Sequence, residues 1–144
     1  MASLSRYAVI LVAVASILGC DEDPGRPTSV PGAAGPETSQ LILALRDLGA
    51  TAEVIDIVPQ GSGLLSAPAT RVQVNGATVF VFEFPGVAEA DAEARRVPGI
   101  LAVTHWIAAP HFFRGNRLIV LYVGTDSGVL TPLQRLLGPP FAGQ

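Results

Sequence analysis

Lysine is absent from the chain, and all nine basic residues are arginine. That excludes a Schiff-base lysine, a phosphate-loop lysine and a Ser–Lys dyad together. Cysteine is almost absent, with Cys20 standing alone. Neither an intramolecular disulfide nor a cysteine-based metal cage can form. Positive charge is also short, at 9 basic against 12 acidic residues. A general attraction to nucleic-acid phosphate is therefore not expected.

What is present begins with an uneven start. The 144 residues leave room for one domain plus extras. Residues 1–6 are short and polar with one positive charge, Arg6, and residues 7–19 are apolar apart from Ser16. Crossing a bilayer takes about 20 apolar residues, so this run fits the core of a signal peptide better than a span. It closes on Ile17-Leu18-Gly19-Cys20. These four residues resemble the lipobox of bacterial lipoproteins: an aliphatic residue three before the cysteine, a small residue directly before it, then the cysteine. Leu18 stands where a small residue is usual.

The resemblance implies a diacylglycerol on the Cys20 thiol, cleavage before Cys20 and acylation of the new amine. Several acyl chains are needed because one binds a membrane only marginally. Ala13-Val14-Ala15 offers a competing A-x-A site. Cleavage there would release a protein with apolar Ile17 and Leu18 near its end and a thiol without a role. Asp21 resembles the aspartate that retains some lipoproteins at the inner membrane. The expected location is thus the cell envelope, lipid-anchored and facing the periplasm or exterior.

Residues 20–37 are expected to form a tether. From Asp21 to Glu37 there are four prolines and three glycines. Such a stretch buries too little apolar surface to offset its ordering entropy. Residues 38–144 are then a single domain.

Within it, Leu41, Leu45 and Leu48 share one helical face beside Ile42, and Gly49 is a stop signal. Residues 51–58 alternate as a strand, and 59–68 form a loop that unusually holds Leu64 and Leu65. Residues 69–74 and 77–84 flank Asn75-Gly76, a preferred pair for a two-residue hairpin turn. That turn sets Val74 opposite Ala77 and Val72 opposite Val79. One face then carries Val72, Val74, Val79 and Val81; the other carries Arg71, Gln73, Phe80, Phe82 and Phe84. Both are partly apolar, so the hairpin belongs inside a sheet.

Residues 87–97 read as a helix ended by Pro98-Gly99, and 101–107 as a strand interrupted by Pro110. His111-Phe112-Phe113 continues extended, and 117–123 is a strand apolar on both faces. Thr125 or Asp126 caps a last helix, with Leu130, Leu133, Leu136 and Leu137 as its buried stripe and Gly138 at its end. The order α-β-β-β-α-β-β-α predicts an α+β domain of two layers: a mostly antiparallel sheet of about five strands with three helices on one face.

A second resemblance rests on Asn75-Gly76, Phe82-Glu83-Phe84, Trp106, Pro110-His111-Phe112-Phe113, residues 117–124 and the ending Phe141-Ala142-Gly143. Together these are similar to a group of small bacterial exported proteins with no assigned activity. They imply a family fold and no mechanism.

Candidate sites follow from residue chemistry. His105 and His111 are the only histidines, and a metal would need carboxylates such as Glu83 or Asp126 besides. The plainer role for His111 is closing a loop by hydrogen bonding its own backbone. Ser62 and Ser66 lie in the long loop, yet no Gly-x-Ser-x-Gly turn exists to expose a nucleophile. No catalytic residue, metal ligand or cofactor is assigned. Arg95, Arg96, Arg114 and Arg117 are read as solvated residues and not as an anion site.

The aromatic set of Phe80, Phe82, Phe84, Trp106 and Phe112, with His111 and Phe113 nearby, has two readings. Helices over that face would make it core. Helices over the opposite face would leave an apolar groove edged by Arg71 and Gln73, suited to a lipid, a peptide or a partner protein. The expected function is a membrane-tethered binding or interaction module of the envelope. Its partners are the membrane, through the lipid, and an apolar ligand or another envelope protein. A small hydrolase using a histidine base is the alternative, and a structural partner pairing through an edge strand is a third.

Overall fold

The computed structural model describes residues 34–61 and 63–143. The expected signal segment, Cys20 and nearly all of the expected tether lie outside the described residues. Helix α1 (Pro36–Asp47) opens with proline in its first turn, where the missing N–H costs nothing. Gly35 at its N-cap has no side chain to accept the free N–H groups, and Glu83 does so from across the fold. Its carboxylate accepts from the Glu37 N–H (3.3 Å), the Thr38 N–H (3.0 Å) and the Thr38 hydroxyl (2.8 Å). A Cβ on Gly35 would collide with that carboxylate, so the first residue before the helix must be small.

Strands β1 (Ala52–Val58), β2 (Ala69–Val74) and β3 (Ala77–Glu83) form an antiparallel meander. Asn75 and Gly76 take positive φ at 49° and 87° between β2 and β3. Both are positions where an ordinary side chain is strained, which is why this pair makes the turn. The register places Val74 against Ala77 and Val72 against Val79, as the alternation predicts. Strands β4 (Pro110–Arg114) and β5 (Leu118–Val123) complete a second hairpin, and β5 pairs with β3. The sheet order is β1-β2-β3-β5-β4-β6, every pair antiparallel, with β6 (Ala142–Gly143) a two-residue edge. The class is α+β, with six strands where about five were expected.

Three details differ from the sequence reading. The expected helix over 87–97 is two: α2 (Val87–Ala94) and α3 (Val97–Val103). Pro98 does not end a helix; it lies in the first turn of α3, where proline is tolerated. Consequently the expected strand at 101–107 is helix to Val103 and irregular afterwards. A short apolar run such as Ile100-Leu101-Ala102-Val103 fits either period, and here Val97, Ile100 and Leu101 pack as one helical face. Pro110 likewise starts β4 instead of interrupting a strand, a position that proline tolerates.

The layering differs as well. Helix α4 (Ser127–Leu137) and α1 cover the valine face, burying Leu41, Leu45, Val129 and Leu133 on Val72, Val74, Val79, Val81 and Val120. Helices α2 and α3 and the loop at 64–67 cover the other face, on Phe82, Phe84, Phe112, Ile119 and Leu121. The helices are not collected on one face, so two cores enclose the sheet. The strands that are apolar on both sides, β3 and β5, require this, since each fully buried Val, Leu or Phe contributes about 1.5–3 kcal/mol.

Helix α4 ends as expected and starts as expected. Asp126 accepts from the Gly128 N–H at 2.8 Å, and Gly138 turns out with φ of 82°. Leu133 is buried and Leu130, Leu136 and Leu137 are partly so.

Candidate functional site

The aromatic residues come to rest as follows. Phe82, Phe84 and Phe112 are buried in the second core, beneath α2 and α3. Phe80 and Trp106 are half-buried on the same side. Trp106 meets the ring of Phe112 edge-on at 6.0 Å, and Phe141 tilts against that ring at 6.3 Å. Phe113 and His111 point to the opposite face: odd and even positions of β4 alternate, and only Phe112 joins the phenylalanine stripe. The set is core along Phe82, Phe84 and Phe112. It is not the open groove that would have formed with that face uncovered.

Leu64 and Leu65, odd for a loop, are explained by the same core. Leu65 is buried there and Leu64 packs against it. The loop is pinned from α2, where buried Glu93 accepts from the Ser66 N–H at 3.2 Å and from Arg96 at 2.5 Å. Burial pushes the Glu93 carboxyl up, but its bonds from Arg96 and Ser66 prevail and hold it below the ordinary range.

His111 is only 8% exposed and stacks on Tyr122 with ring centroids 6.4 Å apart. Neither ring nitrogen has a hydrogen-bond partner among the described residues, so the expected bond to its own backbone is not made. His105 is exposed in the loop before β4. Among the described residues His111 makes no hydrogen bond to a hydroxyl or a carboxylate. Glu83 and Asp126, the carboxylates considered for a metal, each cap a helix instead. Among the described residues no group of three or more His, Cys, Asp or Glu side chains could hold a metal ion.

Of the four arginines expected to be solvated, Arg96, Arg114 and Arg117 are committed to partners. Arg114 binds Asp91 at 2.8 Å and the Val87 carbonyl at 3.3 Å, fastening β4 to α2. Arg117 binds Glu37 at 2.6 Å and Glu83 at 3.4 Å. Glu37 also accepts from the Arg117 N–H and from the Asn116 amide, both at 3.0 Å. Desolvation raises the Glu37 carboxyl, yet these bonds and the Arg117 charge together hold it below its ordinary value. Sequence reading missed this cluster, because Glu37 lies 80 positions from Arg117 and no local pattern links them.

Besides Leu43 on α1, Leu48 at its C-cap and Val87 on α2, two surfaces expose large apolar side chains. Edge strand β1 exposes Val54 and Ile55 at an irregularity in its pairing with β2, beside the Asp56–Arg71 ion pair. The bond from Arg71 draws the Asp56 carboxyl below its ordinary value. The outer edge is partly stoppered, since Arg46 donates to the Ala52 carbonyl at 2.7 Å. The second surface is the loop between α3 and β4, where Val103 is 80% and Ile107 98% exposed.

No family model, curated protein or solved structure matches the chain. Among the described residues no helix is long and apolar enough to cross a membrane. Among the described residues Arg71, Arg96, Arg114 and Arg117 are ion-paired, and the one buried histidine stacks on Tyr122. Large apolar side chains, by contrast, are exposed at β1 and around the α3–β4 loop, and also at Leu43, Leu48 and Val87.

Proposed function

We propose that the chain is the precursor of a bacterial envelope lipoprotein, and that its domain is a binding or interaction module held at the membrane by acyl chains on Cys20. The observation that carries this is the coincidence of an apolar run at residues 7–19 with Ile17-Leu18-Gly19-Cys20 at its end. The only cysteine of the chain falls at the one position where a lipid would attach.

The fold supports the second half of the reading. The domain's first helix begins at Pro36, sixteen positions after Cys20, and its N-terminus is fastened to Glu83 and Arg117. A pull on the preceding chain is thus delivered to the sheet through Gly35 and not through a fraying end. Apolar side chains held outward at Val54, Ile55, Val103 and Ile107 supply contact area for a partner or a surface. No observation on His105 or His111 favours the hydrolase alternative.

The experiment is the mass of the mature N-terminal peptide from chain expressed in a bacterium. A peptide that starts at Cys20 and carries the mass of diacylglycerol is the expected result. A peptide starting at Ser16, with an unmodified thiol, would mean cleavage after Ala15 and release.

A further inference from the structure

The loop that leads from α3 into β4 carries the most exposed large apolar side chains of the described residues, Ile107 and Val103. Residues 97–113 form a run of seventeen without an Asp, Glu or Arg, and residues 136–143 a further eight. The fold brings these two segments together. Strand β6 pairs with β4 through Phe112 and Ala142, and Phe141 and Trp106 both pack on the ring of Phe112. Outward from that joint stand Ile107 at 98% exposure, Val103 at 80% and Phe141 at 40%. Ala102 and Ala108 are exposed between them, and Trp106 lies half-buried at their base.

We infer that this end of the domain is a second membrane contact, in which Ile107 and Val103 enter the interfacial region of the bilayer above Trp106, which packs on Phe112. The inference rests on the tethered reading above, which supplies the bilayer. Water gives no reward for displaying a β-branched side chain almost fully, whereas a bilayer interface does. Neither segment carries an Asp, Glu or Arg, which removes the cost that such a side chain would impose on entering lipid, and His105 is the one titratable group exposed there. An isolated exposed isoleucine would mean nothing; here it crowns two segments free of Asp, Glu and Arg that are joined over one aromatic ring.

Reach permits the contact. The tether enters at Gly35 beside Glu83, and Glu83 pairs with Leu118 at one end of β5. The loop sits at the other end, where Pro110 pairs with Val123 and the Gly124 N–H donates to the Ala109 carbonyl at 2.8 Å. A strand of this length spans roughly 20 Å. The fifteen links from Cys20 to Gly35 can extend to about 50 Å. The domain can therefore lay its far end on the bilayer that holds its own lipid.

The test uses the domain from residue 21 onward, without acyl chains, since both cores and all six strands lie within residues 36–143. Trp106 is the chain's only tryptophan, so its emission reports on this loop alone. With vesicles of zwitterionic phosphatidylcholine the emission is expected to shift to the blue and to be quenched when brominated lipid is included. Ile107→Asp is expected to lower vesicle partition on the order of tenfold or more, while its circular dichroism stays unchanged, because the side chain touches almost nothing. Val54→Asp, on the distant edge strand, is expected to partition as the unaltered domain does. The inference is overturned if phosphatidylcholine leaves the emission and the brominated-lipid signal unchanged, or if Ile107→Asp partitions normally. It is equally overturned if the emission shifts with protein concentration in the absence of vesicles, since the surface would then join two copies. None of these results depends on Cys20, so they leave the lipid reading to its own test.

Discussion

The side-chain amide of Asn75 donates to the carbonyl of Gly128 at 2.8 Å, and Gly128 is the residue four before Pro132 in α4. Proline has no N–H, so the carbonyl four residues earlier loses its helical partner. The hairpin turn between β2 and β3 supplies the missing donor. Asn75 serves two further bonds at the same time, accepting from the Thr51 N–H at 2.8 Å and from its hydroxyl at 3.2 Å. One turn residue thus ties the sheet to α4 and to the start of β1.

A double-mutant cycle checks that relation. Asn75→Gly keeps the positive φ and removes only the amide, and is expected to cost about 1–2 kcal/mol in chemical denaturation. In a Pro132→Ala background the restored N–H can reach Gly128, so the same change is expected to cost clearly less. Equal costs in the two backgrounds would mean that the amide does not substitute for the helical donor.

Glu83 acts as the N-cap that Gly35 cannot be. Glu83→Ala strands the Glu37 and Thr38 N–H groups and is expected to destabilise by about 1–2 kcal/mol. Gly35→Ala should also destabilise, through the collision of its Cβ with the Glu83 carboxylate. Combining the two should cost less than their sum, because Glu83→Ala removes the obstacle. Strict additivity in urea melts would contradict this account.

Acid should act through Glu37. Its folded-state carboxyl is held below the ordinary 4.5 against the pull of desolvation, by Arg117 and Asn116. The unfolded chain therefore binds the proton first on acidification. The contribution is complete above about pH 4.5 and is lost as pH falls through the lower folded value. Glu93 adds a contribution of the same sign. Arg117→Leu should flatten the acid limb of stability against pH, measured by urea midpoints from pH 7 to 3. An unchanged slope would exclude Glu37 as its source.

Phe112 separates a core from a groove. It is fully buried beneath Trp106 and Phe141. Phe112→Ala is expected to cost about 3–5 kcal/mol and to shift Trp106 emission to the red. A loss below about 1 kcal/mol, as for an exposed site, would return the aromatic set to the groove reading.

Much of the fold was legible, for local reasons. Asn75-Gly76 fixed the hairpin and its register, because positive φ at two successive residues admits few sequences. Asp126 and Gly138 bounded α4 by capping chemistry that acts over three residues. The passage from Arg96 to Pro110 misled, since proline starts helices as readily as it ends them and a four-residue apolar run has no decisive period. Placement of α2 and α3 on the phenylalanine face depends on long-range packing, and no window of sequence records it. The candidate residues fared likewise: Phe82, Phe84 and Phe112 do meet, whereas His111 alternates to the other face of β4. The Glu37–Glu83–Arg117 cluster joins three distant segments and left no local trace.

Location is the claim on which the functional account stands, and membrane fractionation of cells expressing the unaltered chain beside Cys20→Ser tests it most directly. The unaltered chain should stay with membranes in high salt and enter the detergent phase, while Cys20→Ser accumulates as the uncleaved precursor without lipid mass. Contradiction would come from a Cys20→Ser chain processed to the same mature length and partitioning identically, since a hydroxyl cannot carry the thioether on which the tether depends.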